Sequence, residues 1–320
     1  MKHRIRILCG LFFFFFFFTA FGIQAQQAWS PYQRQLWVRT VFIHSEYDSA
    51  YLANTKANYD DNIRISTGNI VLEYGITDRL TVDFGTGFGK LGRAKLVDRY
   101  GGLMQIPESP DKYGYLDTRI GIRYKILDEF DYDKWWIPTI SVRAGAIKKG
   151  DYDRNPQSLG DGANGGEANL YLAKDFDFYG LGALGELSYR RRENPVPDDI
   201  LYYSGLYLRF FESFFFTIGA RGQKGQGGYA FADPRQAPPL NYLNLTVPDT
   251  IPGVNLYDLW IQKERPAWGR REDYHNVEAS LGFTDSYGNF YNLYYSQTYA
   301  GYNTAKLQTI GFIVNFPFNL

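Results

Sequence analysis

Cysteine is almost missing from this 320-residue sequence, occurring once at Cys9, and Met occurs only twice. Cys9 lies in an N-terminal leader, so the chain after the leader can form neither a disulfide nor a thiolate metal site. Net charge is missing too, because 34 Lys and Arg offset 34 Asp and Glu. Residues 1–25 hold Lys2, Arg4 and Arg6 and no acid, which leaves 31 bases against 34 acids in the rest. A basic field for nucleic acid is thereby excluded. No run of ~20 apolar residues follows the leader, which excludes a helical membrane protein. Helical periodicity is close to absent as well. What is abundant is aromatic: 18% of residues, with 27 Tyr, beside 33 Gly. That content excludes a disordered chain.

Residues 1–25 read as a signal peptide. Lys2, His3, Arg4 and Arg6 form a basic start. The apolar stretch Ile7 to Ile23 includes seven consecutive Phe, Phe12 to Phe18, and Ile23-Gln24-Ala25 supplies the cleavage site. The alternative, an uncleaved anchor, fits the basic–apolar–small order less well. Cys9 precedes the apolar core, which argues against a lipid anchor. The expected mature domain is 26–320, exported.

Within it, period-2 alternation recurs in segments of about ten residues. Ile70, Leu72, Tyr74 and Ile76 share one face, opposite Val71, Glu73 and Gly75. After Thr77-Asp78-Arg79, Leu80, Val82, Phe84 and Phe88 oppose Thr81, Asp83, Gly85, Gly87 and Gly89. Further segments follow within 114–126, 136–146, 166–173, 181–190, 200–210, 214–221, 277–283, 290–299 and 309–316. With Leu36 to His44, the total is twelve. The first segment and the Tyr-rich 290–299 leave their orientation open. Short links (77–79, 127–134, 174–179, 211–213, 284–289) alternate with longer ones (46–61, 90–112, 148–165, 191–199, 224–271), the last link, 300–304, being short. Short turns at one end and long loops at the other are the signature of a transmembrane antiparallel up-and-down β-barrel, apolar toward lipid and polar toward the lumen. Closure satisfies every backbone group, which an open sheet in lipid could not. Trp135, Trp136, Tyr100, Tyr113, Tyr124, Tyr202 and Tyr203 fall near strand ends, where an interfacial girdle belongs. A soluble β-sandwich is the alternative that leader, loop asymmetry and aromatic ends oppose. The aromatic-rich end, Ile310 to Leu320, matches the signal that outer-membrane barrels present to their insertion machinery.

The stretch Val71-Leu-Glu-Tyr-Gly-Ile-Thr-Asp-Arg-Leu-Thr-Val-Asp-Phe84 resembles the hairpin of the family named for the meta-pathway of phenol degradation. It has a strand ending in Tyr-Gly, a Thr-Asp-Arg turn and a second alternating strand. The resemblance covers fourteen residues closely and the rest by pattern. It implies an outer-membrane β-barrel near the transporters of hydrophobic compounds. Those of the long-chain fatty acid type carry an N-terminal plug. Here only Gln26 to Gln35 precedes the first strand, so no such plug is expected.

By parity the inward faces carry Glu73, Asp83, Asp117, Glu167, Glu186 and Glu278, with Arg119, Arg123, Lys125, Arg143, Arg190, Arg209 and Arg221. An unpaired buried charge costs several kcal/mol, so these are expected to pair as a lumen charge network. Whether the network serves a pore or only holds the barrel rigid stays open. The inward glycines, among them Gly85, Gly121, Gly145, Gly205, Gly219 and Gly311, read either as room for a guest or as room for a large neighbour. The 224–271 link carries Tyr229, Phe231, Tyr242, Tyr257, Trp260 and Trp268 as a candidate lid, against an extracellular extension of its flanking strands. Gly85 to Lys90 mimics a phosphate loop inside a strand, with no helix after it. Asp151, Asp153 and Asn155 mimic a calcium loop, but Pro156 replaces its glycine. His44-Ser45 and His275-Asn276 lack the arrangement of an outer-membrane phospholipase. No catalytic group, metal or cofactor is expected. The reading is a passive outer-membrane channel or binding protein for a small, hydrophobic or aromatic molecule, with outer-membrane lipid and the insertion machinery as partners and no nucleic acid. The alternative is a non-transporting structural or surface-interaction barrel.

Overall fold

The computed structural model describes residues 29–52, 55–92, 112–132, 134, 136–151, 162–176, 180–193, 196–211, 213–227, 271–302 and 304–320. The leader and all six candidate lid aromatics (Tyr229, Phe231, Tyr242, Tyr257, Trp260 and Trp268) lie outside these residues.

Twelve antiparallel strands close into one barrel. They are β1 (Gln35–Leu52), β2 (Thr55–Gly75), β3 (Leu80–Leu91), β4 (Thr118–Leu127), β5 (Thr139–Lys148) and β6 (Gly165–Asp175). The second half is β7 (Leu181–Arg192), β8 (Asp198–Phe210), β9 (Phe214–Gln226), β10 (Asp273–Thr284), β11 (Phe290–Tyr302) and β12 (Gln308–Asn319). Each strand pairs with its sequence neighbour, and β12 returns to pair with β1 from Gln35↔Asn319 to Glu46↔Gln308. A short piece, Lys112–Tyr115, continues β4 along β3 after a one-residue shift of register.

Burial is inverted relative to a soluble protein. Ile120, Phe42 and Leu293 stand 59%, 57% and 56% exposed on the outside, while Glu73 and Arg123 inside are 1% and 2% exposed. With a side-chain period of two, one residue decides the face for a whole strand. The register puts Arg39, Val41 and Ile43 inward on β1, and Tyr294 inward on β11 with Tyr291 and Tyr295 outward. Both open orientations are thereby settled.

Local chemistry explains the short turns. The Thr77 hydroxyl accepts from the N–H groups of Arg79 (3.2 Å) and Leu80 (2.9 Å). The Asp285 carboxylate accepts from the N–H groups of Tyr287 and Asn289, both at 2.9 Å, and Gly288 takes the left-handed conformation (φ 83°) that a side chain would resist. Three expectations need correction. Residues 46–61 are not a long loop, because β1 and β2 run on as a hairpin to Leu52↔Thr55. Trp136 precedes β5 rather than starting it. Tyr203 is 3% exposed and faces the lumen, so it does not belong to an outer girdle, whereas Tyr113, Tyr124 and Trp136 are exposed.

The largest departure lies at the N-terminal side. After a turn at Tyr32–Arg34, the preceding residues enter the short-turn end of the barrel. Ser30 is 5% exposed, and Trp29 packs edge-on against the inward Tyr207 at 5.9 Å. The Trp29 carbonyl accepts from Arg123 Nη1 at 3.3 Å. The crossing is possible because β2 ends in Gly75: a Cβ there would collide with the carbonyl oxygen of Tyr32. Residues 29–31 therefore form a small plug of three residues at this end.

Candidate functional site

The lumen has two unlike walls. One, from β2 to β10, is a belt of linked charges. Glu73 on β2 accepts from Arg39 at 3.0 Å and from Arg123 at 2.5 Å. Its register partner Asp83 on β3 accepts two bonds from one edge of the Arg143 guanidinium, Nε at 2.8 Å and Nη2 at 2.6 Å. The third nitrogen of Arg143 reaches Glu167 and Asn169 on β6. From there Asn169 donates to Ser188 (2.6 Å) and Ser188 to Glu186 (3.0 Å) on β7. Arg221 on β9 lies 3.8 Å from Glu186 and donates to Glu278 on β10 at 2.8 Å. The geometry is favourable because bidentate guanidinium–carboxylate contacts recover much of the desolvation cost.

Glycines make this packing fit. A Cβ on Gly121 or Gly145 would meet the Arg143 guanidinium, and one on Gly205 or Gly219 would meet the Tyr203 hydroxyl. At these positions the space serves a large neighbour rather than a guest. Arg123 and Arg221 lie over the rings of Tyr171 (5.6 Å) and Tyr203 (4.9 Å), tying the belt to an aromatic cluster below it. That cluster, Tyr171, Ala173, Leu184, Tyr203 and Tyr207 with Trp29 and Phe215 against it, fills the short-turn end beneath β6–β9.

Of the thirteen inward charges expected to pair, the structure joins Glu73, Asp83, Arg123, Arg143, Glu167, Glu186, Arg221 and Glu278 in the belt. Arg119 stands at its edge, half-exposed and 3.8 Å from Glu167. Lys125 pairs instead with Asp128 at 2.6 Å and Arg190 with Asp199. Two more lie elsewhere. Asp117 sits at the long-loop rim, 3.9 Å from Arg192, and Arg209 pairs with Asp175 at 3.3 Å at the short-turn end. Sequence reasoning missed Arg39, Asp199 and Glu129. Asp199 takes Arg190 at 2.8 Å, and parity with Leu201 and Tyr203 was the signal that could have found it. Glu129 is buried in the link after β4, where it accepts from Lys174 at 3.0 Å and from the N–H of Asp175 at 2.8 Å. It lies in no strand, so no parity could place it.

The second wall, β11, β12, β1, β2 and the upper part of β3, meets the belt at Arg39 of β1 and Glu73 of β2 and carries no charged side chain from there up to Ser45 and Thr309. Its other inward residues are hydroxyls, amides, aliphatics, glycine and the ring of Tyr294. Ser45 and Thr309 share a hydrogen bond of 2.8 Å, and the Tyr294 ring lies over Gly311. Asn292 and Asn315 are buried with their carbonyl oxygens unpaired. Val41, Ile43, Thr67, Asn69, Val71 and Gly85 are only half-buried, so the remaining free space of the lumen lies along this wall. A Cβ on Gly85 would make ordinary contact with Val71.

Neither histidine belongs to the lumen. His44 faces outward between Ser66 (2.8 Å) and Glu46 (3.2 Å), and His275 meets the Tyr202 hydroxyl at 2.5 Å on the outer face. Among the described residues no group of three acids, histidines or cysteines is placed to hold a metal.

With this geometry in hand, comparison is informative. An outer membrane channel from Pseudomonas putida F1 superposes with a TM-score of 0.61, at 14% identity, over 93% of this chain and 100% of that one. The chain has the fold of an outer-membrane channel. More distant likenesses are the NanC porin (TM-score 0.44, 8% identity, 86% of this chain and 98% of that one) and the toluene transporter TodX of Pseudomonas putida (0.40, 11%, 92% of each chain). No protein-family model and no curated protein matches the sequence.

Proposed function

We propose that the protein is a passive outer-membrane channel for small uncharged molecules that join an apolar body to a hydrogen-bonding group, aromatic ones included. The observation that carries the reading is the division of the lumen. Most inward charges that would attract or retain ions are paired with one another from Arg39 of β1 to Glu278 of β10. The accessible wall offers aliphatic surface at Val41, Ile43 and Val71 beside the polar side chains of Thr67 and Asn69. Pore selectivity follows the groups that line the free path. The barrel fold, the outward apolar band and the short-turn asymmetry support the membrane placement, with the short-turn end toward the periplasm. The hairpin resemblance at 71–84 supports an aromatic substrate.

Swelling of liposomes loaded with the purified protein tests the reading. A small phenol should enter faster than a charged sugar acid of similar size. Equal rates for both would sink it. The alternative, a closed structural barrel, is favoured by one observation, the plug at Trp29–Pro31 with the aromatic cluster it caps. Absence of swelling with every solute would select that alternative.

A further inference from the structure

Four polar side chains stand together on the outer surface where the apolar band of β1 and β2 ends, and the channel reading uses none of them. His44 and Glu46 lie two residues apart on β1, and their register partners on β2 are Ser66 and Arg64. All four share the outward face. The His44 imidazole meets the Ser66 hydroxyl through Nδ1 at 2.8 Å and the Glu46 carboxylate through Nε2 at 3.2 Å. The same carboxylate oxygen accepts from Arg64 Nε at 2.9 Å. Ser45, next to His44 in the chain, faces the lumen and bonds Thr309, so only the register of two strands brings a hydroxyl to this imidazole.

An ionised carboxylate can only accept hydrogen bonds. Nε2 of a neutral His44 therefore carries the proton, and Nδ1 is left to accept from Ser66. A hydroxyl bonded to an imidazole whose tautomer an acid fixes is the arrangement that makes serine a nucleophile. Arg64 lies two residues from Ser66 on the same face, and Lys90, the register partner of Ser66 on β3, adds a second positive charge there. Positive charge beside the serine favours an oxyanion formed on it.

The surroundings point to the substrate. Toward the short-turn end the surface turns apolar, with Phe42, Phe88 and Ile310 exposed. Gly68 follows Ser66 on the outward face and pairs with Phe42 on one side and Phe88 on the other. Lacking a side chain, it leaves a shallow notch between two rings, leading from Ser66 into the apolar band. Toward the long-loop end stand Glu46 and Arg64. The ester groups of a bilayer lipid lie at this same boundary, between hydrocarbon and headgroups.

We propose that Ser66, His44 and Glu46 form an esterase site on the lipid-facing wall, with a long-chain acyl ester of the outer leaflet as substrate. The proposal rests on the membrane placement given above and not on transport through the lumen. Ser66 Oγ bonds to the ester carbonyl carbon while His44 Nδ1 takes its proton. Collapse of the tetrahedral intermediate breaks the bond to the alcohol oxygen, which leaves with the proton from His44. Water, losing a proton to His44, then attacks the acyl-serine, and the released Oγ recovers that proton. The sum is ester and water to carboxylic acid and alcohol. Glu46 acts through His44 and is a positioning residue.

The test uses the full protein folded in detergent, with heat-modifiable migration confirming the barrel in every variant. Phosphatidylglycerol and lipid A, each carrying ester-linked chains, are offered separately, and released fatty acid is read by mass spectrometry. The lipid that is cleaved names the source of the ester. Ser66→Ala and His44→Gln should each lower the release about a hundredfold or more, the usual scale for loss of a general base. Glu46→Gln should lower kcat about tenfold and leave KM unchanged, which a merely structural loss would not do. A fluorophosphonate should label Ser66 in the wild type, fail to label it in His44→Gln, and leave the exposed Ser204 of β8 untouched. No release from either lipid, release that survives in Ser66→Ala, or equal labelling of Ser66 and Ser204 overturns the proposal. Swelling of wild-type liposomes, read in parallel, then still stands or falls by itself as the test of the channel. Failure of the wild type to insert into vesicles would overturn both.

Discussion

Arg143 and Tyr294 each lie over a glycine of a neighbouring strand, yet they serve opposite halves of the lumen. Arg143 ends in two carboxylates and an amide drawn from β3 and β6, so it fastens three strands, its own β5 included, with one planar group. Tyr294 covers Gly311 with a ring, among residues whose hydrogen bonds are few and neutral. The first arrangement spends the lumen on rigidity. The second leaves it lined but not filled. The same device, glycine as a recess, is thus compatible with closing one wall and leaving the other accessible.

The comparison breaks most visibly at Arg143. Arg143→Met strands Asp83 and Glu167 without their shared cation, and should cost about 3–5 kcal/mol in reversible urea unfolding from vesicles. Flux of a neutral solute through protein that remains folded should change little. A large change in flux would mean that the charged wall also lines the path. Next in size is Ile120→Arg on the outer face, expected to cost about 2–4 kcal/mol near the bilayer midplane, with Thr118→Arg costing less toward the interface. A neutral Ile120→Arg would show that the outward band does not meet lipid. Trp29→Ala removes the half-buried ring of the plug, at roughly 1–2 kcal/mol by apolar area. It should raise swelling rates, and unchanged rates would place the limiting constriction elsewhere. Smallest in stability is Gly85→Phe in the accessible wall. It should shift unfolding by about 1 kcal/mol or less, because volume is added to free space rather than to a packed core. Neutral-solute flux should fall severalfold nonetheless. A Gly85→Phe variant as permeable as wild type would end the assignment of the path to β1–β3.

Much of the fold was legible because parity in a lipid-facing strand admits no compromise. Ile120, Ile122 and Tyr124 cannot alternate outward without placing Arg119 and Arg123 inward. The inward carboxylates and guanidinium groups followed by the same logic. Their partners did not, since Arg143 meets Asp83 and Glu167 only through the register of three strands. The extension of β1 and β2 past Glu46 and Asn62 was hidden because, beyond the apolar band, a strand exposed to water on its outer face has no need to alternate. The plug was hidden for a different reason. Trp29-Ser30-Pro31 has no periodicity, and its entry depends on one glycine, Gly75, whose role appears only when Tyr32 crosses it.

The pairing of β1 with β12 carries a consequence for how this chain reaches its native state. The amide of Leu320 donates to the carbonyl of Arg34 at 2.9 Å, and twelve register pairs join the first strand to the last. Contacts across nearly the whole length of a chain carry the greatest loop-closure entropy and form late. Until Gln308 to Asn319 is in place, β1 and β11 each present an open edge of unpaired N–H and C=O groups, a template for pairing with any other chain. The order of assembly, and not only the finished barrel, is therefore under the control of the last twelve residues of the sheet. A circular permutant opened at the Asp285–Asn289 turn would move that seam between β10 and β11 and make β12–β1 an ordinary hairpin, shifting the vulnerable edges to strands that carry Phe283 and Tyr291 on their outer faces.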